Sequence, residues 1–199
     1  MVTLMHFDQT TSWQIREDLD YSLTLALYVR DAAGLTPYVA VEQDIPPLLP
    51  VVPAQRHDID LGVAAREWPQ WWVRALQRPV EPPLLPEGPG WDELDDLPVV
   101  RRLAEQQHRH YWTWMGAAKA EEIRRARSDQ AMHLTRFVNA FEARLSRPVR
   151  PFRLHLRVLP VDAAAGWVLD EQQVLVTSRL LDDPVALEQV LGPVVSVLA

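Results

Sequence analysis

Four residues of the chain combine metal-ligand chemistry with helical spacing: Glu105, His108, Asp129 and His133. Glu105 and His108 form a Glu-x-x-His pair, EQQH, which on a helix sets a carboxylate and an imidazole on one face. Carboxylate-bridged metal bundles use such pairs as ligands. Asp129 and His133 stand four apart and share a face in the same way. Together they would make a four-ligand set for iron, manganese or zinc if the helical region that carries them folds into a hairpin. Against this, a di-metal bundle needs the Glu-x-x-His pair twice together with bridging glutamates, and a second copy is absent. His110 adds nothing, because two residues along a helix is a rotation of about 200°. The plainer expectation is no cofactor, with the histidines solvated or at the edge of a core.

A second constellation reads anions. In FRLHLRVL, Phe152, Leu154, Leu156 and Val158 alternate with Arg153, His155 and Arg157, and Arg150 comes just before. Period two places the three polar groups on one side of a strand. Guanidinium groups suit carboxylate or phosphate, so Arg150, Arg153, His155 and Arg157 are expected to form an exposed anion-reading or partner-binding surface. The wider charge distribution agrees. Glu81, Glu87, Asp92, Glu93, Asp95 and Asp96 occupy 81–98 without a basic residue, while Arg136, Arg144, Arg147, Arg150, Arg153 and Arg157 face only Glu142 over 136–157. The two stretches could meet within a monomer, meet across a homodimer, or leave the arginines for an acidic partner. A third group, Trp112, Trp114 and Met115 beside Tyr111, could wall a hydrophobic pocket, although such density more often makes core.

Other chemistries find no local support. The chain has no cysteine, which excludes disulfides, thiolate metal sites and thiol nucleophiles. P-loop, dinucleotide-binding, GxSxG and HExxH patterns are absent from the sequence. A net charge of −7 argues against general nucleic-acid binding, which depends on neutralising phosphates. No run approaches the ~20 apolar residues of a membrane span, and the amino-terminal stretch lacks the pattern of a secretory leader. A cytoplasmic protein without membrane association is expected.

The elements that must position these groups follow from periodicity and proline. LDYSLTLALYV alternates from Leu19 to Val29 and is expected as a strand, with a turn at Asp31–Gly34 and a return strand through Val39 and Val41. Between residues 37 and 98 lie 12 of the 17 prolines, a density that forbids long regular elements. That stretch holds two PPLLP copies, Pro46–Pro50 and Pro82–Pro86. They are either polyproline docking motifs or straps whose leucines pack on the domain. Between them, Ala64, Trp68, Trp71, Trp72 and Leu76 form one helical stripe. The proline-free stretch 99–147 predicts two helices broken near Gly116 or near Ser128–Asp129. Strands return at 152–177, and a helix starts at Pro184.

The expectation is one α+β domain over 1–199 with a proline-rich crossover region at about 37–98. An N-terminal β-hairpin and a C-terminal β-meander share one sheet, packed against two or three central helices and a C-terminal helix. Without a site constellation, the expected function is a non-catalytic protein-binding or accessory subunit, working by self-association or with a protein partner. The alternative is a metal-dependent enzyme or metal-binding protein.

Overall fold

The computed structural model describes residues 2–7, 10–36, 45–78, 91–126 and 133–198, without the side chains of residues 2–12, 122, 125 and 126. It is an α+β fold. The strands are β1 (Val2–Phe7), β2 (Thr10–Leu19), β3 (Phe152–Leu159), β4 (Gly166–Val168) and β5 (Gln173–Thr177). The α-helices are α1 (Tyr21–Ala33), α2 (Leu61–Gln77), α3 (Pro98–Ala126), α4 (His133–Leu145), α5 (Ser178–Leu181) and α6 (Pro184–Leu198), with a 3-10 turn at Trp91–Leu94. The chain packs as two compact units, one of Met1–Leu19 with Ala120–Ala199 and one of Asp20–Lys119. Among the described residues no helix is long and apolar enough to cross a membrane.

The first unit contains the mixed sheet, in the order β1-β2-β3-β5-β4. An N-terminal hairpin and the C-terminal strands therefore share one sheet, as the sequence implies. The C-terminal strands are not laid down in chain order, because β3 pairs parallel with β5 and β4 takes the outer, antiparallel place. Strands β2 and β3 are also parallel, with Trp13 opposite Phe152 and Ile15 opposite Leu154. Parallel neighbours need a long crossover, and here residues 20–151 supply it. One sheet face, with Trp13, Ile15, Leu154, Leu156, Val174 and Val176, belongs to the same buried cluster as Leu134, Phe137, Val138 and Phe141 of α4 and Leu187 and Leu191 of α6.

The connection from β3 to β4 passes the end of β5 and is tied to it by Thr177. The Thr177 hydroxyl donates to the Ala163 carbonyl, and the Thr177 N–H donates to the Ala165 carbonyl at 3.0 Å. Strand β4 then begins at Gly166, where an added Cβ would lie 2.8 Å from Val190 Cγ1 and 3.0 Å from Leu180 Cδ2. Gly166→Ala should therefore destabilise by about 1–3 kcal/mol through overpacking. Gly116→Ala, where nothing lies within 4 Å of the new methyl, should stabilise by about 0.5–1 kcal/mol through helix propensity. Urea unfolding of both variants checks the pair, and equal midpoints would contradict the close approach at Gly166.

The second unit overturns one local expectation. The stretch Leu19–Val29 is not a strand: β2 ends at Leu19, and Tyr21–Ala33 is helical. The side chain of Asp20 caps the helix by accepting from the Leu23 N–H at 2.9 Å, and Gly34, at φ 61°, ends it in the left-handed conformation. The apparent period of two arose because Leu23, Leu25 and Leu27 are buried, and so are Thr24, Ala26 and Tyr28 between them. A helix buried around its whole circumference shows no 3.6-residue stripe. Consequently the hairpin comes earlier, in β1 and β2, and the expected return strand through Val39 and Val41 lies outside the described residues.

Helix α2 has the predicted stripe, with Ala64, Trp68, Trp71 and Trp72 buried and Asp60 capping its start. Helix α3 runs unbroken through Gly116, so that position is not the break. Residues 127–132, which include the other expected break at Ser128–Asp129, lie outside the described residues, and α4 begins at His133.

The first PPLLP copy is a strap. Leu48 is 1% exposed, and its N–H donates to Asp31 Oδ2 at 2.8 Å. Arg30 donates to the carbonyls of Ile45 and Pro46 at 2.7 and 2.9 Å. Trp114 Nε1 donates to the Pro50 carbonyl at 2.7 Å. Proline removes backbone donors but leaves carbonyls, so a proline-rich segment is best held by donors from outside, as here. The second copy, Pro82–Pro86, lies outside the described residues.

Candidate functional site

The polar face of the sheet in the first unit is built by two alternations in register. On β2, Gln14, Arg16 and Asp18 point away from the core cluster. On β3, Arg153, His155 and Arg157 do the same, directly opposite them in that order. Gln173 of β5 stands opposite His155. Register on a half-buried sheet is strongly specified, since a slip of one residue would drive all of these groups into the core.

The centre of this face is Asp18. His155 Nε2 lies 3.0 Å from Asp18 Oδ2, and Arg16 Nε pairs with that same oxygen. Burial holds the His155 imidazole below its ordinary pKa. Asp18 works against that, while Arg16 and Arg157 push the same way as burial. Exposure falls along the strand: Arg153 is exposed, the His155 side chain is 20% exposed, and Arg157 is 1% exposed. This corrects the expectation of one open Arg153–His155–Arg157 surface, because the strand descends into a buried region at Arg157. Arg150 is exposed just before β3. The adjoining turn is fixed by Glu142, whose carboxylate accepts from the Val149 N–H at 3.0 Å.

Three acids of the acidic stretch, Glu93, Asp95 and Asp96, are paired locally within the second unit. Asp96 accepts two hydrogen bonds from Arg74, both 2.6 Å. Glu93 pairs with Arg78 at 2.5 Å and Asp95 with Arg101. Glu81 and Glu87 lie outside the described residues.

The metal-ligand candidates have other engagements. Glu105 Oε1 accepts from Arg101 Nε at 2.9 Å. His108 Nε2 accepts from Trp112 Nε1 at 2.8 Å, which uses its lone pair, and burial lowers its pKa. His133 Nε2 lies 3.2 Å from Glu17 Oε1, and Asp129 lies outside the described residues. Among the described residues no three His, Cys, Asp or Glu side chains group as a metal site.

The aromatic candidates pack against neighbouring rings. Trp114 and Met115 are buried. Trp114 lies against Tyr28 and Tyr111, and Trp112 packs on Tyr111, Tyr21 and His108. Tyr111 donates to the Tyr21 carbonyl at 2.8 Å. Its hydroxyl pKa is raised well above the usual value, first by burial and then by Asp20.

Comparison with protein-family models, with curated proteins and with solved structures returned no match. The site therefore rests on its own geometry. Arg16 and Asp18 did not stand out in the sequence reading. Their signal was the alternation in SWQIREDL, where Trp13, Ile15 and Leu19 bracket Gln14, Arg16 and Asp18.

Proposed function

We propose that the chain is a non-catalytic protein-binding subunit that reads an acidic segment of a partner at the Arg153 end of the polar sheet face. The observation that carries this is an imbalance. Among the described residues of that face that reach solvent, the guanidinium groups of Arg16 and Arg153 stand with one carboxylate, Asp18. Arg16 and His155 already converge on that carboxylate, so Arg153 enters no ion pair with it. A guanidinium at an exposed position is well suited to bidentate recognition of a carboxylate. The described acidic residues of 91–96 that pair with Arg74, Arg78 and Arg101 are occupied, which favours a different protein over a second copy as the source of the acid.

The test is titration with a hexaglutamate peptide at low and moderate salt. Binding should weaken as salt rises, because exposed charges are screened. Arg153→Glu should lower the affinity by about tenfold, equivalent to ~1.4 kcal/mol. Arg179→Glu, on an exposed pair with Asp162 away from this face, should leave it unchanged. Absence of binding would sink the proposal. A concentration-dependent dimer abolished by Arg153→Glu would replace it with self-association.

A further inference from the structure

We propose that this binding site is proton-coupled through His155: the imidazole takes up a proton when an acidic segment docks, so binding tightens as the medium is acidified. The inference rests on the partner-binding reading above and adds its regulation.

The geometry fixes which nitrogen is involved. Nε2 lies 3.0 Å from Asp18 Oδ2, the oxygen that Arg16 also engages. A carboxylate in that position only accepts, so Nε2 carries the hydrogen and the neutral ring keeps its lone pair on Nδ1. Nδ1 makes no hydrogen bond among the described residues. A lone pair presented to an incoming carboxylate repels it. The same nitrogen becomes a donor only by gaining a proton from solvent, with Nε2–H still held by Asp18. Asp18 therefore acts as a positioning residue that makes the ring's remaining nitrogen, Nδ1, proton-dependent.

The charged groups acting on the ring come from β2 on one side of it and from its own strand. Asp18 and Arg16 lie on β2, and Arg157 lies on β3 with Arg153 at the other neighbouring position of the same face. Opposite on β5, Gln173 contributes a neutral amide. Burial, Arg16 and Arg157 outweigh Asp18 and favour the neutral form of the free ring. A carboxylate beside Arg153 offsets that positive field and favours the cation. The sign follows by linkage: a ligand that prefers the protonated ring binds more tightly at lower pH. Glutamate carboxylates, with ordinary pKa values of about 4.3, stay ionised across the window from pH 7.5 to 5.5.

Isothermal titration of hexaglutamate into the full chain at pH 7.5 and 5.5, at constant ionic strength, tests this. In two buffers of different ionisation heat it also counts protons. The expected result is affinity about tenfold higher at pH 5.5, with uptake of roughly one proton near the transition. His155→Gln should bind equally at both pH values. In the wild-type chain, the His155 ring followed by NMR should titrate at higher pH with peptide than without, which keeps the test alive if the variant does not fold. Equal wild-type affinity at both pH values, or an unmoved ring titration, overturns the coupling and leaves the partner reading standing. No binding at either pH overturns the partner reading itself.

Discussion

Asp31→Ala should lower stability by about 3–5 kcal/mol, the usual cost of breaking a largely buried ion pair from one side. The Asp31 and Arg30 side chains are 12% and 13% exposed, and their Oδ1–Nε distance is 2.7 Å. Asp31 Oδ2 also accepts the Leu48 N–H. Removing the carboxylate therefore leaves a guanidinium half satisfied and an N–H beside a buried leucine without its acceptor. The loss propagates, because Arg30, once unanchored, is also the donor to Ile45 and Pro46. Asp31→Asn keeps one acceptor oxygen and should fall between the wild type and the alanine variant. Urea unfolding reads the result as a lower midpoint with an unchanged slope. A cost under about 1 kcal/mol would mean that the strap is held without Asp31, by its apolar contacts and by the Arg30 and Trp114 donors.

The second large effect is expected at Trp68, the residue on which α1 and α2 meet. Its ring is 1% exposed and stacks on Trp72 with centroids 5.5 Å apart. Its Nε1 donates to the Ala26 carbonyl at 2.7 Å, and the Arg30 guanidinium lies 5.9 Å from the ring centroid. Trp68→Ala should cost about 3–5 kcal/mol from lost burial and a residual cavity. Trp68→Phe keeps most of the apolar contact and forfeits mainly the hydrogen bond, so about 1–2 kcal/mol is expected. Since Arg30 serves both Trp68 and the strap, the double variant Trp68→Phe with Asp31→Asn should be non-additive by about 0.5 kcal/mol or more. Strict additivity in thermal or urea unfolding would show that the ring and the strap are energetically independent.

The elements that could be read from the sequence are those with one buried side. Strand β3 was legible because Phe152, Leu154 and Leu156 are buried while Arg153 and His155 are not. Its last residues misled, because Arg157 is as buried as its apolar neighbours. Helix α2 was legible from its tryptophan stripe, and α4 from Leu134, Phe137, Val138 and Phe141. Helix α1 was not legible, because burial of successive residues erases the stripe that distinguishes 3.6 from two. The cap signals were present, with Asp20 before the helix and Gly34 after it, and they outrank an alternation that nothing in the surroundings enforces.

The candidate site divides along the same line. Composition and local spacing by themselves determined the α+β class, the helical and β-type periodicities of the half-buried elements, and the clustering of arginines after residue 136. They singled out Arg153 and His155 because a strand's alternation is a local property. Only the tertiary structure decided what those side chains meet. His155 finds Asp18 from 137 residues away, Asp96, Glu93 and Asp95 find Arg74, Arg78 and Arg101 within their own unit, and the first PPLLP segment is held by Arg30 and Asp31. Periodicity records which sides of an element are buried. Which distant group answers a charge depends on strand order and register, which are settled by packing the whole chain.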